Sequence, residues 1–295
     1  MQSVILIGAS GFLGSEVLAG LLSSGYRVFA TQNHSILSDL DDTQIIHGGI
    51  KGINSKKLLD INPVAIFHCG RPTYSRLRKY GRNLAAIKAK RLNKYLIKQI
   101  KKSKLKIPLI FASGSLAYGN SKVAHTEGYP VNPISYSRQY IKGEIPLLMA
   151  TKNCDFPVML LRFPWILGNG SWFSWFYLKN INETNSVPVF GDGSNIMSLI
   201  NVADAANMMI EYFQKNPRSG IYNIFTKDII PQLEFAKCVA DHYGCEVVDY
   251  KKIYPGGLES AAMEAFQSNI ILDTNYKEIL DNYSFSSISE SLNHF

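Results

Sequence analysis

At 295 residues, 46% of them hydrophobic and 18% charged, the chain is long enough for one large domain or two modest ones with a proper core. No apolar run reaches the length of a membrane span, and the N-terminus reads as a first strand in place of a signal peptide. Cys69, Cys154, Cys238 and Cys245 form no Cys-x-x-Cys pair, so reduced thiols in a cytoplasmic protein are expected, with neither a disulfide framework nor a metal site.

The net charge of +8 is unevenly spread, because no acidic residue falls between Asp60 and Glu127 while lysines and arginines recur from Arg71 to Lys122. The preferred reading is a solvated helix face running from about Asn83 to Ser103. Ala85, Ala89, Leu92, Leu96 and Ile100 recur there at helical spacing and leave the lysines outside. The competing reading is a surface for an anionic membrane, a polyanion or an acidic partner.

The opening stretch is Val4-Ile5-Leu6-Ile7-Gly8-Ala9-Ser10-Gly11-Phe12-Leu13-Gly14. Continuous apolarity ended by glycine is the signature of a buried parallel strand. A helix starting near Gly11 aims its free N–H groups and positive dipole end at an anion above the turn. In a dinucleotide site Gly8 permits the tight turn, Gly11 admits a pyrophosphate and Gly14 lets helix and strand pack closely. The spacing is Gly-x-x-Gly-x-x-Gly, and its position between strand and helix is the context such a motif requires.

Tyr26 to Thr31 reads as the second strand. Beyond it lie Thr31, Gln32, Asn33, His34 and Ser35, with no carboxylate before Asp39 to take the adenosine ribose hydroxyls. Neutral donors there fit NADP slightly better than NAD, although no arginine is present to clamp a phosphate. Gln44 to His47 and Val64 to His68 are the third and fourth strands. Cys69-Gly70-Arg71-Pro72 is small where a nicotinamide ring passes, and Asn83 opens the basic helix. Ile107 to Phe111 is the fifth strand and runs into Ala112 to Gly119. Strands alternating with helices predict an α/β fold with a doubly wound parallel sheet. Ligands bind at the carboxyl ends of such strands, so Gly8, Thr31, Cys69 and Ser113 are expected to share one crevice.

Several motifs occur in a telling order: Gly-Ala-Ser-Gly-Phe-Leu-Gly, Ile66-Phe67-His68-Cys69-Gly70, Asn83, Ser-x-x-x-x-Tyr-Gly over Ser113 to Gly119, and Tyr136 with Glu144. Leu161-Arg162, Gly191-Asp192-Gly193, Asn201 to Ala206 and Gly220 to Ile224 follow. In this order the chain resembles an extended short-chain dehydrogenase/reductase of the nucleotide-sugar epimerase, dehydratase and reductase kind. Arg162 to Gly168 is similar to the Arg-x-x-Trp segment of dTDP-4-dehydrorhamnose reductases. The resemblance implies a Rossmann-type NAD(P)-binding domain over 1–168 plus 195–225. It also implies a smaller α/β substrate lobe over 169–194 plus 226–295 that closes on a nucleotide sugar. The implied setting is surface polysaccharide or deoxysugar biosynthesis. Carried over residue by residue, the cofactor set is Gly8, Ser10, Gly11, Phe12, Leu13, Gly14, Thr31, Gln32, Asn33, His34, Cys69, Gly70, Asn83, Tyr136, Tyr140 and Phe163. Arg71, Ser115 and Trp165 are the implied substrate contacts. Nucleic acid is not expected as a partner; a homodimer and peripheral membrane contact through 71–106 are admitted.

The family's reaction is hydride transfer with a tyrosine moving the proton. A phenol has a pKa near 10, so it needs a cation nearby to act as a base at neutral pH. The family supplies a lysine four residues later, about 400° around a helix and so on the same face. Here Tyr136 is followed at that position by Tyr140. Arg138 and Lys142, at about 200° and 600°, point away from Tyr136. The usual serine or threonine slot holds Gly114, with Ser113 and Ser115 on either side and Ser113 marginally preferred. Loss of the cation removes roughly two to four powers of ten of general acid–base advantage. Three accounts follow. Tyr136 works with a displaced serine and the charge of oxidised nicotinamide, or His68 or His125 moves the proton, or the protein holds cofactor without turnover as a sensor or scaffold. An enzyme is favoured.

Beyond Gly168, Trp172 to Tyr177 packs five aromatics into six positions. Core packing is the preferred reading for most of them, a platform for a base or sugar ring the alternative. Trp165 stands where many epimerases and dehydratases have an asparagine, which favours a reductase-like pocket. Pro188 to Gly193 is a predicted strand and turn, and Asp204 suits the start of a helix over 205–213. The remainder is helical with short strands, at 232–243, 246–248, 259–266 and, weakly patterned, 288–292. After Arg218 no arginine remains to meet a pyrophosphate.

Overall fold

The computed structural model describes residues 1–32, 40–74, 78–215, 217–227 and 229–295. The chain divides into two compact units, the first comprising 1–113, 139–162 and 206–222, the second 114–138, 163–205 and 223–295.

The first unit is built on parallel strands. These are β1 (Ser3–Ile7), β2 (Arg27–Gln32), β3 (Ile45–His47), β4 (Ala65–His68), β5 (Leu109–Gly114) and β6 (Val158–Phe163), with β10 (Gly220–Asn223) added at the edge. Their order is β10-β6-β5-β4-β1-β2-β3, so the chain reverses direction across the sheet between β1 and β4. That switch point is where open α/β sheets bind ligands. Ile7 is in register with Thr31 on one side and His68 on the other, and His68 with Phe111. The doubly wound parallel sheet expected from the strand spacing is therefore present.

Helix α1 (Phe12–Ser23) follows β1, α2 (Ser55–Ile61) precedes β4, and α3 (Arg78–Ser103) and α4 (Arg138–Asn153) flank β5. The Asn54 side chain caps α2 by accepting from the Lys57 N–H. Helix α3 begins a turn before the Asn83 start expected from sequence. Gly81 permits this, because a Cβ there would fall within the Tyr74 carbonyl. Ala85, Ala86, Leu96 and Ile100 are buried while Arg91, Lys94, Lys98, Lys101 and Lys102 are exposed, which is the solvated basic face.

A buried polar chain locks α3, α4 and β4 together. His68 Nε2 donates to Asn93 Oδ1 at 3.0 Å, and Asn93 Nδ2 donates to the Gly143 carbonyl at 3.0 Å. The Asn93 amide thereby fixes the proton on Nε2. A Cβ at Gly143 would stand 2.9 Å from the Ala89 Cβ, so glycine sets the approach of α4 to α3. Burial depresses the His68 imidazole to about 4, and it stays neutral.

The second unit holds a three-stranded sheet, β11-β9-β7. In it β7 (Trp165–Leu167) runs parallel to β9 (Ile196–Asn201), and β11 (Ile229–Pro231) is antiparallel to β9. A parallel pair joins β8 (Ser186–Val189) to β12 (Glu246–Asp249). Helices α5 (Lys179–Thr184), α7 (Gln232–Tyr243), α8 (Tyr250–Ile253) and α9 (Ser260–Phe266) belong to this unit, whereas α6 (Val202–Lys215) lies mainly in the first. The aromatic run is core. Phe173 and Tyr177 are fully buried, stack at 5.5 Å and pack on Phe235, while Trp172 lies edge-on to both. Trp175 alone of the run is strongly exposed, at 66%.

Candidate active site

The residues between β1 and α1 form a cradle made of backbone. Gly8 has a φ of +86°, the left-handed region that favours glycine, and its carbonyl accepts the Gly11 N–H at 3.0 Å. A Cβ at Gly14 would overlap that same Gly8 carbonyl. Gly8 and Gly70 cross so closely that a Cβ on Gly8 would lie 2.6 Å from the Gly70 Cα. Helix α1 starts at Gly11 with no side-chain cap and no acid in its first turn, which leaves its first N–H groups and positive dipole end to an outside anion. Ser10, Gly11 and Phe12 are exposed, whereas Leu13 and Gly14 are buried beneath them. The charge of this helix start suits the diphosphate of a dinucleotide.

Thr31 is buried at the end of β2 and Gln32 is half-buried beside it. Asn33 and His34 lie outside the described residues. The Cys69 thiol donates to Met209 Sδ at 3.8 Å, and burial pushes it up to about 12, so it packs without being a nucleophile. Asn83 is half-buried on α3 and lines a groove with Ile87, Lys90, Gln139 and Lys142. Phe163 is buried at the end of β6.

At the start of α4 the first unit gathers charge. The Arg71 guanidinium sits over the Tyr140 ring, 4.1 Å from its centroid. One turn on, the buried Glu144 accepts from Ser113 Oγ at 2.8 Å. Burial raises the Glu144 carboxyl, opposed by the charge of the fully buried Arg162, by the Ser113 bond and by the charge of Arg71. The hydroxyl preferred from sequence, Ser113, thus donates to a carboxylate within its own unit.

In the second unit, Ser115 opens a single helical turn over 115–117 and is buried. Tyr136 is half-buried in the turn at 135–137, whose Arg138 N–H already reaches back to the Ile134 carbonyl as in a helix. Ser137 Oγ donates to the Leu116 carbonyl at 2.7 Å and ties the two turns together. Ser115 and Tyr136 are thereby brought into neighbouring turns. Sequence reasoning passed over Ser137, whose signal is only its place beside Tyr136. His125 is packed between the rings of Tyr118 and Tyr129, at 5.3 and 4.2 Å. Burial lowers its imidazole, which suits a neutral packing role. Trp165 stacks on Phe266 at 5.5 Å and meets Trp172 edge-on. Its buried indole N–H has no hydrogen-bond partner among the described residues. Among the described residues there is no cluster of metal-ligating side chains, and no helix long and apolar enough to cross a membrane.

The model of the NAD-dependent epimerase/dehydratase family matches residues 4–224. The chain belongs to that family. Its members are NAD-dependent enzymes, and NAD(P) dependence is what the family gives this chain. A curated relative, a decarboxylating sterol-4-alpha-carboxylate 3-dehydrogenase of Dictyostelium discoideum, is 22% identical over 86% of this chain and 79% of its own. Among solved structures, a UDP-glucose 4-epimerase of Thermotoga maritima with UDP-glucose is similar at a TM-score of 0.79 and 19% identity, covering 99% of this chain and 97% of that one. A dTDP-glucose 4,6-dehydratase of Bacillus anthracis in complex with NAD gives 0.74 and 18%, covering 100% and 95%. These likenesses establish the Rossmann-type fold.

Proposed function

We propose that the protein is an NAD(P)-dependent reductase, epimerase or dehydratase acting on a nucleotide-activated sugar. The reading is carried by the backbone cradle of Gly8, Gly11, Gly14 and Gly70 under the uncapped start of α1. It is supported by the UDP-glucose and the NAD bound in two of the similar structures. In this reading 1–168 plus 195–225 serves the cofactor and 169–194 plus 226–295 the substrate. Ser10, Phe12 and Leu13 join the glycines around the diphosphate, and Thr31, Gln32, Asn33 and His34 take the adenosine ribose. Their neutral chemistry favours NADP over NAD. Cys69, Asn83, Tyr140 and Phe163 complete the cofactor contacts.

Bound NAD(P) supplies the hydride acceptor and donor. Tyr136 gives or takes the proton at the reacting oxygen, and the Ser115 hydroxyl hydrogen-bonds that oxygen. Ser115 takes this role over Ser113 because its turn is the one tied to that of Tyr136, while Ser113 donates to Glu144. The unpartnered Trp165 N–H donates to the substrate. A cytoplasmic setting fits four free cysteines. Exposed Leu84 and Ile87 on α3 and Met149 on α4 suit a homodimer.

The test is to identify by mass spectrometry what co-purifies and to assay a panel of sugar nucleotides with both pyridine nucleotides. Hydride transfer with one of them is the expected result. Absence of affinity for NAD and NADP in either redox state overturns the reading. Cofactor binding without turnover selects the non-catalytic alternative that the uncharged Tyr140 favours.

A further inference from the structure

Four residues after Tyr136, where the family pattern carries a cation, stands Tyr140. A cation is nevertheless there, since the Arg71 guanidinium covers the Tyr140 ring at 4.1 Å. Its origin is the cofactor bend itself. Arg71 follows Gly70, whose backbone crosses Gly8, and the preceding Cys69 N–H donates to the Ile7 carbonyl at 2.9 Å. The side chain leaves the carboxyl edge of β4 and carries its charge to the first turn of α4. Its charge is felt one turn further along, where it favours the ionised form of Glu144. Arg71 is also exposed, unlike Arg162, which is sealed in the core.

We propose that Arg71 supplies, from the turn after β4, the positive charge that the Tyr-x-x-x-Lys pattern supplies from the helix, with the Tyr140 ring as its support. Resting on that function, Arg71 has a positioning role toward the cofactor in place of the substrate contact expected from sequence. A guanidinium stacked by its face keeps its N–H donors free at the edges. Those edges can take the paired hydroxyls of a ribose. An aromatic at 140 is then part of the device. A lysine there would place a second cation against Arg71, and like charges repel.

The experiment compares wild type with Arg71→Gln, Arg71→Lys and the double variant Arg71→Gln/Tyr140→Lys. Two readouts are used: dinucleotide affinity by calorimetry without substrate, and the split between kcat and KM with whichever sugar nucleotide the panel identifies. Arg71→Gln is expected to weaken dinucleotide binding about tenfold, the size of one lost charge-assisted hydrogen bond. It should also lower kcat about 10- to 100-fold with KM unchanged, less than removal of the acid–base group itself. Tyr140→Lys in the Arg71→Gln background should restore both, and Arg71→Lys should fall between. Unchanged dinucleotide affinity in Arg71→Gln, a rise in KM alone, or failure of the double variant to restore binding overturns the proposal. If wild type binds the dinucleotide yet turns over no sugar nucleotide, the function fails while the binding comparison still decides the role of Arg71.

Discussion

The two ends of the first unit's site are built in opposite ways. The glycine cradle comes from consecutive residues, Gly8 to Gly14, and is specified by what a Cβ would strike. The charged start of α4 is assembled from distant segments: Arg71 after β4, Ser113 on β5, Arg162 on β6, and Tyr140 and Glu144 on α4. The contrast teaches that backbone shape is written locally, whereas a charged cluster is gathered from segments far apart in the chain.

The largest effect that would break this contrast is at the cradle. Gly14→Val puts side-chain carbon into the Gly8 carbonyl. It should destabilise by about 4 kcal/mol or more, the range reserved for severe overpacking and strain. Gly256→Ala, where a Cβ meets nothing within 4 Å, should leave the melting temperature nearly unchanged. Equal effects in thermal melts would show that the cradle is not sterically specified.

Next comes the chemistry. Tyr136→Phe should lower turnover by about 10²–10⁴ while the melting temperature and dinucleotide affinity are kept. Loss of affinity in parallel with rate would instead make Tyr136 a binding residue. Lys142→Gln, an exposed lysine six residues on, should leave the rate alone.

In the second unit, Phe173→Ala should cost about 3–5 kcal/mol because the ring is fully buried, and Trp175→Ala within about 0.5 kcal/mol because its ring is exposed. Comparable costs in urea melts would mean that the aromatic run is not packed as one core.

The smallest effects are those of pH. His68 stands at about 4 in the fold against 6.5 unfolded, so its contribution is fully present above pH 6.5. It is lost as pH falls toward 4, by about 3 kcal/mol in all. His68→Gln should flatten that acid limb. Glu144 runs the other way. Its carboxyl is raised, so its stabilisation is complete below 4.5 and declines as pH rises. Glu144→Gln should therefore gain on wild type with increasing pH, and a constant difference between the two melting curves would refute the assignment.

What the residues alone determined was the sheet, the glycine bend, the basic solvated face of α3 and the family. Each rests on a periodicity or a spacing within one segment, which the chain displays without folding. Only the fold showed that Ser113 bonds Glu144 and that Ser137 ties the Ser115 turn to that of Tyr136. The same holds for the stacking of Arg71 on Tyr140. Side chains far apart in the chain meet through the register of the sheet and the packing of α4, and no local pattern records which of them will touch. Backbone geometry is a property of neighbours in sequence, while the electrostatics of a site belongs to neighbours in space.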